Sequence, residues 1–516
     1  MNKLIHDVVI IGGGPGGIQL ALTYKELCIE QGKEPNMVVL EAAHEVGHSF
    51  SKFPVHGNLI SNNKLYSGKP YKSRYAERFD WNSLITKDKD ILMRNYSVDF
   101  YPRRETVVQM LGDLVRKYEL PVQYDTQWTG TKKNDQGLFE VETTKGIFLS
   151  RTVVVATGLK PSKPEVEGIE MVTMYEDMKP KEYYRDKRVL IIGKGNSGSE
   201  SALDILNEAN VIMLASPTPA KLAYQTHYVG NLRAVNSIIA ENYQLKHQAA
   251  LLDCYIQKIE KVEGGFDVTV AYVHANGEVE KLFFNEIVAA TGFEANIESL
   301  IQDFKINILH KKFPSINGVF ESTEVENLYF AGVQTHGLDY KSTSTSGFIH
   351  GFRYNSKILA HHLTEKLGIA ETRTKPVEGC IVELILDELN NSGELWLQPA
   401  LVGLLLQNKN GQWKEMGHRT SHEFEGMEVE EGEVFVFVTL EYGDIHKFQE
   451  TLNIPRVPGD ASQSVHIHPV IRVKTEGDIQ ENHLEEHLES RFDKEKYVPF
   501  IKGIINQIEV VHAINN

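Results

Sequence analysis

The chain opens with Val8-Val9-Ile10-Ile11-Gly12-Gly13-Gly14-Pro15-Gly16-Gly17, and its pattern returns in Val189-Leu190-Ile191-Ile192-Gly193-Lys194-Gly195-Asn196-Ser197-Gly198. Each stretch is an aliphatic run followed by a glycine-rich turn and then by a helical pattern. The run predicts a buried parallel strand, and the turn predicts a site where a pyrophosphate meets the N-terminus of a helix. Two such sites in one chain predict two dinucleotides, which is the arrangement of a flavoprotein reduced by a nicotinamide cofactor.

The first site has an acidic residue at the position expected for ribose recognition. The next predicted strand, Met37–Leu40, ends in Glu41, and an acid there accepts a hydrogen bond from a ribose hydroxyl. A surface glutamate that merely closes the strand is the alternative. We therefore predict FAD at this site. Its predicted contacts in the fingerprint are Gly12, Gly14, Pro15, Gly17 and Glu41.

The second site lacks that acid. Its predicted strand, Val211–Leu214, continues into Ala215-Ser216-Pro217-Thr218. Without a carboxylate a 2′-phosphate is not repelled, and Ser216, Thr218 and Lys221 are available to contact it, so the sequence favours NADPH over NADH. The predicted contacts of this cofactor are Gly193, Gly195, Asn196, Ser197, Gly198, Ser216 and Lys221.

The tripeptide Ala-Thr-Gly follows a predicted buried strand twice, at 156–158 and at 290–292, and marks where each nucleotide-binding half closes. Thr157, Gly158, Thr291 and Gly292 are therefore further predicted cofactor contacts. The sequence predicts an α/β fold with two Rossmann-like domains and a C-terminal α+β domain. The predicted domains are an FAD-binding domain over 1–165 and 293–375, an inserted NAD(P)H-binding domain over 180–292, and a C-terminal domain over 377–516.

The C-terminal region has no chemical motif. Strands are predicted over 379–386, 400–406 and 433–442, and a helix over 481–492. His466 and His468 are expected on one strand, and His483 and His487 one helical turn apart. Such spacings occur in zinc sites, but no cysteine or carboxylate pattern accompanies them, so we predict no metal site.

The composition and net charge of the chain limit the kinds of partner that it is expected to bind. The 516 residues are 41% hydrophobic and 24% charged, with a formal net charge of −16, which argues against nucleic acid or an anionic membrane as partner. No apolar run is long enough to cross a membrane, and the first strand begins too early for a signal peptide, so a cytoplasmic protein is expected. A homo-oligomer is left open.

The positions of the cysteines argue against disulfide reduction through a redox-active cysteine pair. Cys28, Cys254 and Cys380 are far apart in sequence. Flavoproteins that reduce disulfides use a closely spaced redox pair, which this sequence does not contain. We expect all three thiols to be buried and inert.

Several segments resemble the flavin-containing monooxygenase superfamily. Gly47-His48-Ser49-Phe50 is similar to its Gly-Gly-x-Trp, and Leu59-Ile60-Ser61-Asn62 to its Leu-x-Thr-Asn segment. Asp99–Pro102, Ala290–Phe293 and Gly332-Val333-Gln334 resemble its Phe-Pro, Ala-Thr-Gly-Tyr and late Gly-x-Gln segments. The resemblance adds to the predicted FAD contacts His48, Ser49, Phe50, Asn62, Gly332 and Gln334.

The sequence shows one further family resemblance and one departure from the monooxygenases. Thr226–Ala234 and Gly347–Tyr354 resemble a family of flavoproteins associated with degradation in the endoplasmic reticulum. The linker Gly168–Tyr175 departs from the monooxygenases, because it lacks their second glycine and their histidine.

The monooxygenase resemblance implies that NAD(P)H delivers hydride to flavin N5. Molecular oxygen then forms a C4a-(hydro)peroxyflavin that oxygenates a nitrogen or sulfur of a small molecule. Asn62 is the implied catalytic amide, with a simple turn residue as the alternative. Asp80, Trp81 and Tyr101 are candidates for the substrate cavity and His227 for its mouth, each with a packing role as the alternative.

Three functions remain open at the level of the sequence. The first is this monooxygenase. The second is an NAD(P)H oxidase or reductase that inserts no oxygen atom, which the altered linker favours. The third is a flavoprotein that acts through protein interactions of its C-terminal domain.

Overall fold

A mixed sheet forms around the first glycine-rich turn. The computed structural model describes residues 4–245, 248–297, 304–371, 373–445 and 456–515, with the side chains of 509–515 excepted. The elements of its first segment are β1 (Ile5–Ile11), α1 (Pro15–Glu30), β2 (Met37–Leu40), α2 (His48–Lys52), α3 (Arg74–Glu77), α4 (Glu105–Lys117), β3 (Val122–Gln123), β4 (Trp128–Lys133), β5 (Phe139–Thr143), β6 (Gly146–Val155) and β7 (Leu159–Pro161).

The strand order of this sheet is β3-β2-β1-β6-β5-β4. Strand β1 runs parallel to β2 and β6, with Ile10 beside Val39 on one side and Val154 on the other. All three side chains are fully buried. Both faces of a parallel sheet are covered by other elements. Its strands therefore consist of consecutive aliphatic residues.

A second sheet of the same kind follows. Its elements are β8 (Thr173–Met174), β9 (Arg188–Ile192), α5 (Asn196–Ile205), β10 (Val211–Ser216), α6 (Ala223–Thr226), α7 (Ile238–Gln244), β11 (Ala249–Val262), β12 (Gly265–Tyr272), β13 (Val279–Phe284) and β14 (Glu286–Ala289). The strand order is β13-β12-β11-β10-β9-β14-β8. Strands β8 to β11 and β14 pair in parallel, whereas β11, β12 and β13 form an antiparallel extension.

The chain then returns to the first sheet. Its elements there are β15 (Phe293–Ala295), β16 (Ile308–Leu309), β17 (Phe313–Pro314), β18 (Leu328–Phe330) and α8 (Ile349–Lys366). Strand β15 pairs antiparallel with β7, and β18 joins the first sheet parallel to β6. Helix α8 packs along α1. The predicted α/β fold with two Rossmann-like units is confirmed.

The C-terminal region is an antiparallel sheet covered by helices. Its elements are β19 (Lys375–Pro376), α9 (Ile381–Asn391), α10 (Gly393–Leu397), β20 (Val402–Lys409), β21 (Gln412–Thr420), α11 (Ser421–Glu425), β22 (Glu433–Glu441), β23 (His468–Thr475), β24 (Asp478–His483) and α12 (Lys494–Asn515). The strand order is β19-β21-β20-β22-β23-β24. Helices α9 and α12 share an apolar core with one face of this sheet.

Two predictions for this region were wrong. The predicted strand over 379–386 is the start of helix α9, because Ile381, Ile385 and Leu389 recur at helical spacing and face the core. The predicted helix over 481–492 is wrong because Glu481 pairs with Arg472 of the neighbouring strand, and α12 begins only at Lys494.

The histidines and cysteines also differ from expectation. His483 lies at the end of β24 and not on a helix with His487, and its Nδ1 lies 2.9 Å from Nε2 of His468 across the strand pair. Cys380 is exposed, so the expectation that all three thiols are buried was wrong. Within the described part of the chain, no group of three or more metal-ligating side chains is arranged for a metal ion, and no helix is long and apolar enough to cross a membrane.

Candidate dinucleotide sites and the cavity between them

The two glycine-rich turns have the same backbone arrangement. The amide of Gly12 donates to the carbonyl of Leu40, and the amide of Gly193 donates to that of Ala215, each at 2.8 Å. Gly12 has φ +112° and Gly193 has φ +123°, a region that only glycine adopts without strain. Glu41, which follows Leu40, therefore corresponds in position to Ser216, which follows Ala215.

The glycines of each turn serve two different purposes. A Cβ on Gly17 would lie 2.1 Å from the carbonyl oxygen of Gly12, so helix α1 approaches the strand only because this side chain is absent. Gly198 has the same relation to Gly193 at 2.3 Å. In contrast, a Cβ on Gly14 or on Gly195 would meet nothing within 4 Å. These two positions face open space at the helix N-terminus, where a pyrophosphate is expected.

A cavity of about 710 Å³ opens beside the first turn. That size suits a cofactor site. The predicted FAD contacts in its wall are Gly12, Gly14, Pro15, Glu41, His48, Ser49, Phe50, Thr157, Gly158 and Gly332. Gly17 lies beneath the turn. Gln334 is fully buried and donates through Nε2 to the carbonyl of Gly158 at 2.5 Å, while its Oε1 has no partner among the described residues.

Two backbone amides fix the carboxylate of Glu41, the residue predicted to bind the ribose. Its two carboxylate oxygens accept hydrogen bonds from the amides of Gly13 and Ala43, each at 2.8 Å, and the side chain is buried. Each oxygen keeps a lone pair for a ribose hydroxyl. The cavity, the open Gly14 position and the fixed carboxylate fit an FAD molecule.

At the second site Ser216 takes the position that Glu41 has at the first. Its hydroxyl donates to the carbonyl of Thr218 at 2.8 Å, and Lys221 is exposed nearby in sequence. The fingerprint residue Lys194, which sequence reasoning missed, is buried and forms an ion pair with Asp253 on β11. Asp253 lies beside Ser216 in the strand register.

Asn196 and Thr291 form hydrogen bonds within the protein, and Gly292 has a backbone conformation that favours glycine. Asn196 begins helix α5 and fastens the loop that follows β10, since its side chain donates to the carbonyl of Asn231 at 2.9 Å and accepts from the amide of Arg233 at 3.0 Å. Thr291 donates to the carbonyl of Ser162 at 2.7 Å, and Gly292 has φ +87°.

A smaller cavity of about 260 Å³ lies where the two units meet. Phe50, Gly347 and Phe352 line both this cavity and the FAD-site cavity, while Asn196 and Ser197 come from the second fingerprint. The rest of its wall is formed mainly by apolar and aromatic side chains. These are Phe53, Pro54, Leu59, Ile60, Tyr175, Phe293, Phe348 and Ile349, together with Ser61, Asn82 and Glu200.

The predicted catalytic residue Asn62 lies next to this wall. Its carbonyl accepts from the amide of Trp81 at 3.0 Å and from Nδ2 of Asn82 at 3.2 Å. Asn82 itself lines the cavity, is buried, and has an Oδ1 with no partner among the described residues. Sequence reasoning missed Asn82, although the resemblance already covered the adjacent Trp81.

The structure gives Asp80 and Trp81 local partners. The Asp80 carboxylate accepts from the amides of Asn82 at 3.1 Å and Ser83 at 3.0 Å, so it closes a turn. Trp81 stacks on His350 with ring centroids 4.4 Å apart, and the Arg233 guanidinium lies 5.5 Å from the Trp81 ring. Neither Asp80 nor Trp81 lines the interdomain cavity.

Tyr101 and His227 also lie outside that wall. Tyr101 packs edge-on against Phe100 at 4.9 Å. His227 packs against Tyr442 of the C-terminal region at 4.6 Å, and burial lowers its pKa. A neutral histidine at this contact fits the packing alternative.

The comparisons with known proteins agree with this geometry. The family model described as pyridine nucleotide-disulphide oxidoreductase matches residues 9–332, which span both turns. The chain belongs to this family. Its members are FAD- and NAD(P)H-dependent oxidoreductases, so the predictions of an oxidoreductase and of these two cofactors are confirmed. The preference for NADPH stays a prediction.

Individual proteins and solved structures are similar to this chain at sequence identities of 30% or below. Mouse FAD-dependent oxidoreductase domain-containing protein 2 is 30% identical over 70% of this chain and 58% of its own length, so the chain spans less than two thirds of that relative. Bacillithiol disulfide reductase Bdr from Staphylococcus aureus has a TM-score of 0.55 at 21% identity, and a flavin-containing monooxygenase from Stenotrophomonas maltophilia has 0.54 at 18%. Each structure matches 70% of this chain and 99% of its own.

Proposed function

We propose that this protein is an FAD-dependent, NAD(P)H-consuming monooxygenase that oxygenates a nitrogen or sulfur atom of a small molecule, with molecular oxygen as co-substrate. The observation that carries the proposal is the apolar cavity between the two dinucleotide sites, because oxygen transfer requires a site that keeps bulk water from the reacting atoms. The bound cofactor FAD supplies the electron transfer from NAD(P)H to oxygen.

The residues around the cavity have distinct roles in this proposal. Gly14, Glu41 and Ser49 hold FAD, and Gly195 and Ser197 hold the nicotinamide cofactor from the opposite side. Asn62 contributes an amide that donates to a polar group without releasing a proton to it, and Asn82 contributes an Oδ1 that accepts a hydrogen bond. The aromatic side chains exclude water.

Disulfide reduction through a cysteine pair is disfavoured. Cys28 and Cys254 are buried and Cys380 is exposed at the start of helix α9. No cysteine lies in the described walls of either cavity. A mechanism that passes electrons through a thiol pair beside the flavin therefore has no candidate residues here.

An NAD(P)H oxidase or reductase is the second candidate. The observation in its favour is the linker Gly168–Tyr175, where the monooxygenase histidine is absent and Tyr175 contributes to the cavity wall. Such an enzyme reduces oxygen or another acceptor and forms no oxygenated product.

Product analysis separates the two candidates. The holoprotein is given NADPH, oxygen and either thioanisole or N,N-dimethylaniline as probe, and NADPH consumed, hydrogen peroxide and oxygenated probe are measured. A monooxygenase forms sulfoxide or N-oxide in proportion to NADPH. Stoichiometric peroxide with every sulfur and nitrogen nucleophile tested supports the oxidase instead. The Gly14→Val variant serves as the flavin-free control.

A further inference from the structure

A buried histidine–glutamate pair joins the two dinucleotide-binding units. Nε2 of His56 lies 2.7 Å from Oε2 of Glu200, and the side chains are 11% and 8% exposed. His56 belongs to the loop after helix α2 in the first unit. Glu200 lies on α5, the helix that begins at the second fingerprint. Neither residue was identified from the sequence.

The two members of the pair have different surroundings. Glu200 lines the interdomain cavity, where it is the one carboxylate among the described wall residues. Its other oxygen, Oε1, accepts a hydrogen bond from Nδ2 of Asn236 at 3.3 Å. His56 lies behind Glu200 and is not part of the cavity wall. Because 11% of the His56 side chain is exposed, the pair joins a wall residue of the cavity to a group that solvent reaches.

Three further ionisable groups surround the pair from the elements packed against it. Nη1 of Arg103 donates to the carbonyl of His56 at 3.1 Å, and Nη1 of Arg104 donates to that of Pro54 at 2.8 Å. The hydroxyl of Tyr175 accepts from the amide of Val55 at 3.1 Å. These bonds fix the backbone of the loop, whereas the His56 ring forms its contact with Glu200.

The reaction in this cavity consumes protons. Oxygenation of a substrate by NADPH and oxygen takes up one proton per turnover, because NADPH releases a hydride and water is a product. Reduction of a two-electron acceptor by NADPH likewise takes up one proton. Most of the cavity wall is apolar and carries no exchangeable proton, and Glu200 is its one carboxylate among the described residues.

We propose that His56 and Glu200 form the proton-delivery group of the interdomain cavity. The proton leaves Nε2 of His56 as its N–H bond breaks, and an O–H bond forms at Oε2 of Glu200. The imidazole takes up a replacement proton from solvent at Nδ1 in the same step, so its charge is unchanged. Exchange of this Nδ1 proton for one at Nε2 restores the starting tautomer before the next turnover. The protonated carboxyl of Glu200 then gives its proton to the group being reduced in the cavity.

This inference rests on the proposed function only in placing redox chemistry in the cavity. It holds for the monooxygenase and for the reductase, because both consume a proton. The products formed from thioanisole decide between those two functions. The proton-delivery role is tested by a different measurement, the dependence of the NADPH oxidation rate on pH and on solvent deuterium. One of the two proposals can therefore be rejected while the other stands.

The test compares Glu200→Gln and His56→Gln with the wild-type holoprotein. Glutamine keeps the size of Glu200 and a hydrogen bond to His56 but cannot carry the proton. Steady-state NADPH oxidation is measured from pH 5 to 10 in H₂O and D₂O. We expect each variant to lose about 100-fold in kcat, the lower end for general acid–base catalysis, with a changed pH profile and solvent isotope effect.

Two further measurements distinguish proton delivery from a structural contact. Formate should restore part of the activity of Glu200→Ala, because a small carboxylic acid fits the space that the side chain vacates. Tyr183→Phe removes a hydrogen bond to Glu286 at 2.8 Å in the second unit, outside both cavities, and should leave the pH profile and isotope effect of the wild type. Glu200→Gln with a wild-type pH profile and isotope effect, or Glu200→Ala without formate rescue, would overturn the proposal.

Discussion

At the scale of single residues, the conformation and the protein surroundings of position 14 do not require a glycine, so we expect that the ligand requires it. Its φ of −74° and ψ of 176° are open to any residue, and a Cβ there meets nothing within 4 Å. Gly12 differs, since its φ is +112° and a Cβ would lie 2.4 Å from the carbonyl oxygen of Ala156. Gly14 and Gly195 therefore allow a test of each cofactor without unfolding the protein.

We expect Gly14→Val to fold normally and to lose FAD, because the valine side chain occupies the space of the pyrophosphate. We expect Gly195→Val to retain FAD and to lose reduction by NADPH. Flavin absorbance after gel filtration reports the first effect, and anaerobic stopped-flow reduction reports the second. Full flavin occupancy in Gly14→Val contradicts the assignment of the first site.

Coenzyme preference depends on the residue that corresponds to Glu41. That residue is Ser216, so we expect NADPH to have the larger kcat/KM. We expect Ser216→Glu to shift the preference toward NADH, since a carboxylate accepts from a ribose hydroxyl and repels a 2′-phosphate. Lys221→Ala should weaken NADPH alone, by roughly 5-fold for one exposed charge pair. A clear NADH preference in the wild type contradicts the prediction.

The predicted role of Asn62 is also testable at this scale. Asn62→Ala should leave flavin reduction by NADPH almost intact, while hydrogen peroxide rises and oxygenated product falls. Losing one buried hydrogen bond costs about 1–3 kcal/mol, or roughly 5- to 150-fold. Asn82→Ala should have the larger effect, because Asn82 lines the cavity and donates to the carbonyls of Ser61 and Asn62. Equal peroxide yields in wild type and both variants favour the oxidase.

At the scale of elements, the sequence predicts best where one local pattern has one structural solution. Strands β1 and β9 follow from four consecutive aliphatic residues and the glycine turn after them. Helix α9 was missed because a short apolar segment such as Ile381–Leu386 suits a buried strand equally well. The helical spacing is visible only when the window extends to Leu389, and this apolar face packs against the C-terminal sheet and α12, whose residues lie over a hundred positions away.

Helix α9 also carries a charged contact to the first domain, and its pH dependence is a further prediction. Glu388 is bonded to Nη2 of Arg74 at 2.9 Å and lies 3.0 Å from Nε2 of His418. Burial alone would raise the pKa of Glu388, but His418 and Arg74 outweigh it and lower the pKa to about 2. A lowered pKa in the folded state stabilises the fold above the ordinary value near 4.5, and this contribution is lost as the pH falls toward 2.

We therefore expect Glu388→Gln to lower the free energy of unfolding by about 2–3 kcal/mol at pH 7. The difference from the wild type should shrink between pH 5 and pH 2. Urea unfolding at several pH values measures it. Exposed Glu383, which pairs with Lys494, is the matched control, and Glu383→Gln should leave the free energy of unfolding almost unchanged because solvent screens this pair. A pH-independent difference for Glu388→Gln contradicts the linkage.

At the scale of the whole molecule, the cavity exists because segments distant in sequence meet. Phe53 comes from the first unit, Tyr175 from the linker, and Phe293 from the return to the first sheet. No local pattern indicates that these three residues meet, and His56 and Glu200 are 144 positions apart. The sequence therefore predicts both cofactor sites from contiguous motifs, whereas the wall between them follows only from the arrangement of the two units.

The last prediction concerns this wall. The Phe53 ring stacks on Tyr175 at 5.8 Å and meets Phe293 edge-on at 5.6 Å, so it closes the cavity across the interface. Each such pair contributes about 0.5–1.5 kcal/mol beyond the area it buries. In a monooxygenase, Phe53→Ala should admit water and raise hydrogen peroxide per NADPH several-fold, with FAD still bound. Phe283→Ala, at a partly exposed position on β13, is the control and should leave the ratio unchanged. An oxidase already releases one peroxide per NADPH, so an unchanged ratio near one in the wild type and in Phe53→Ala identifies that function.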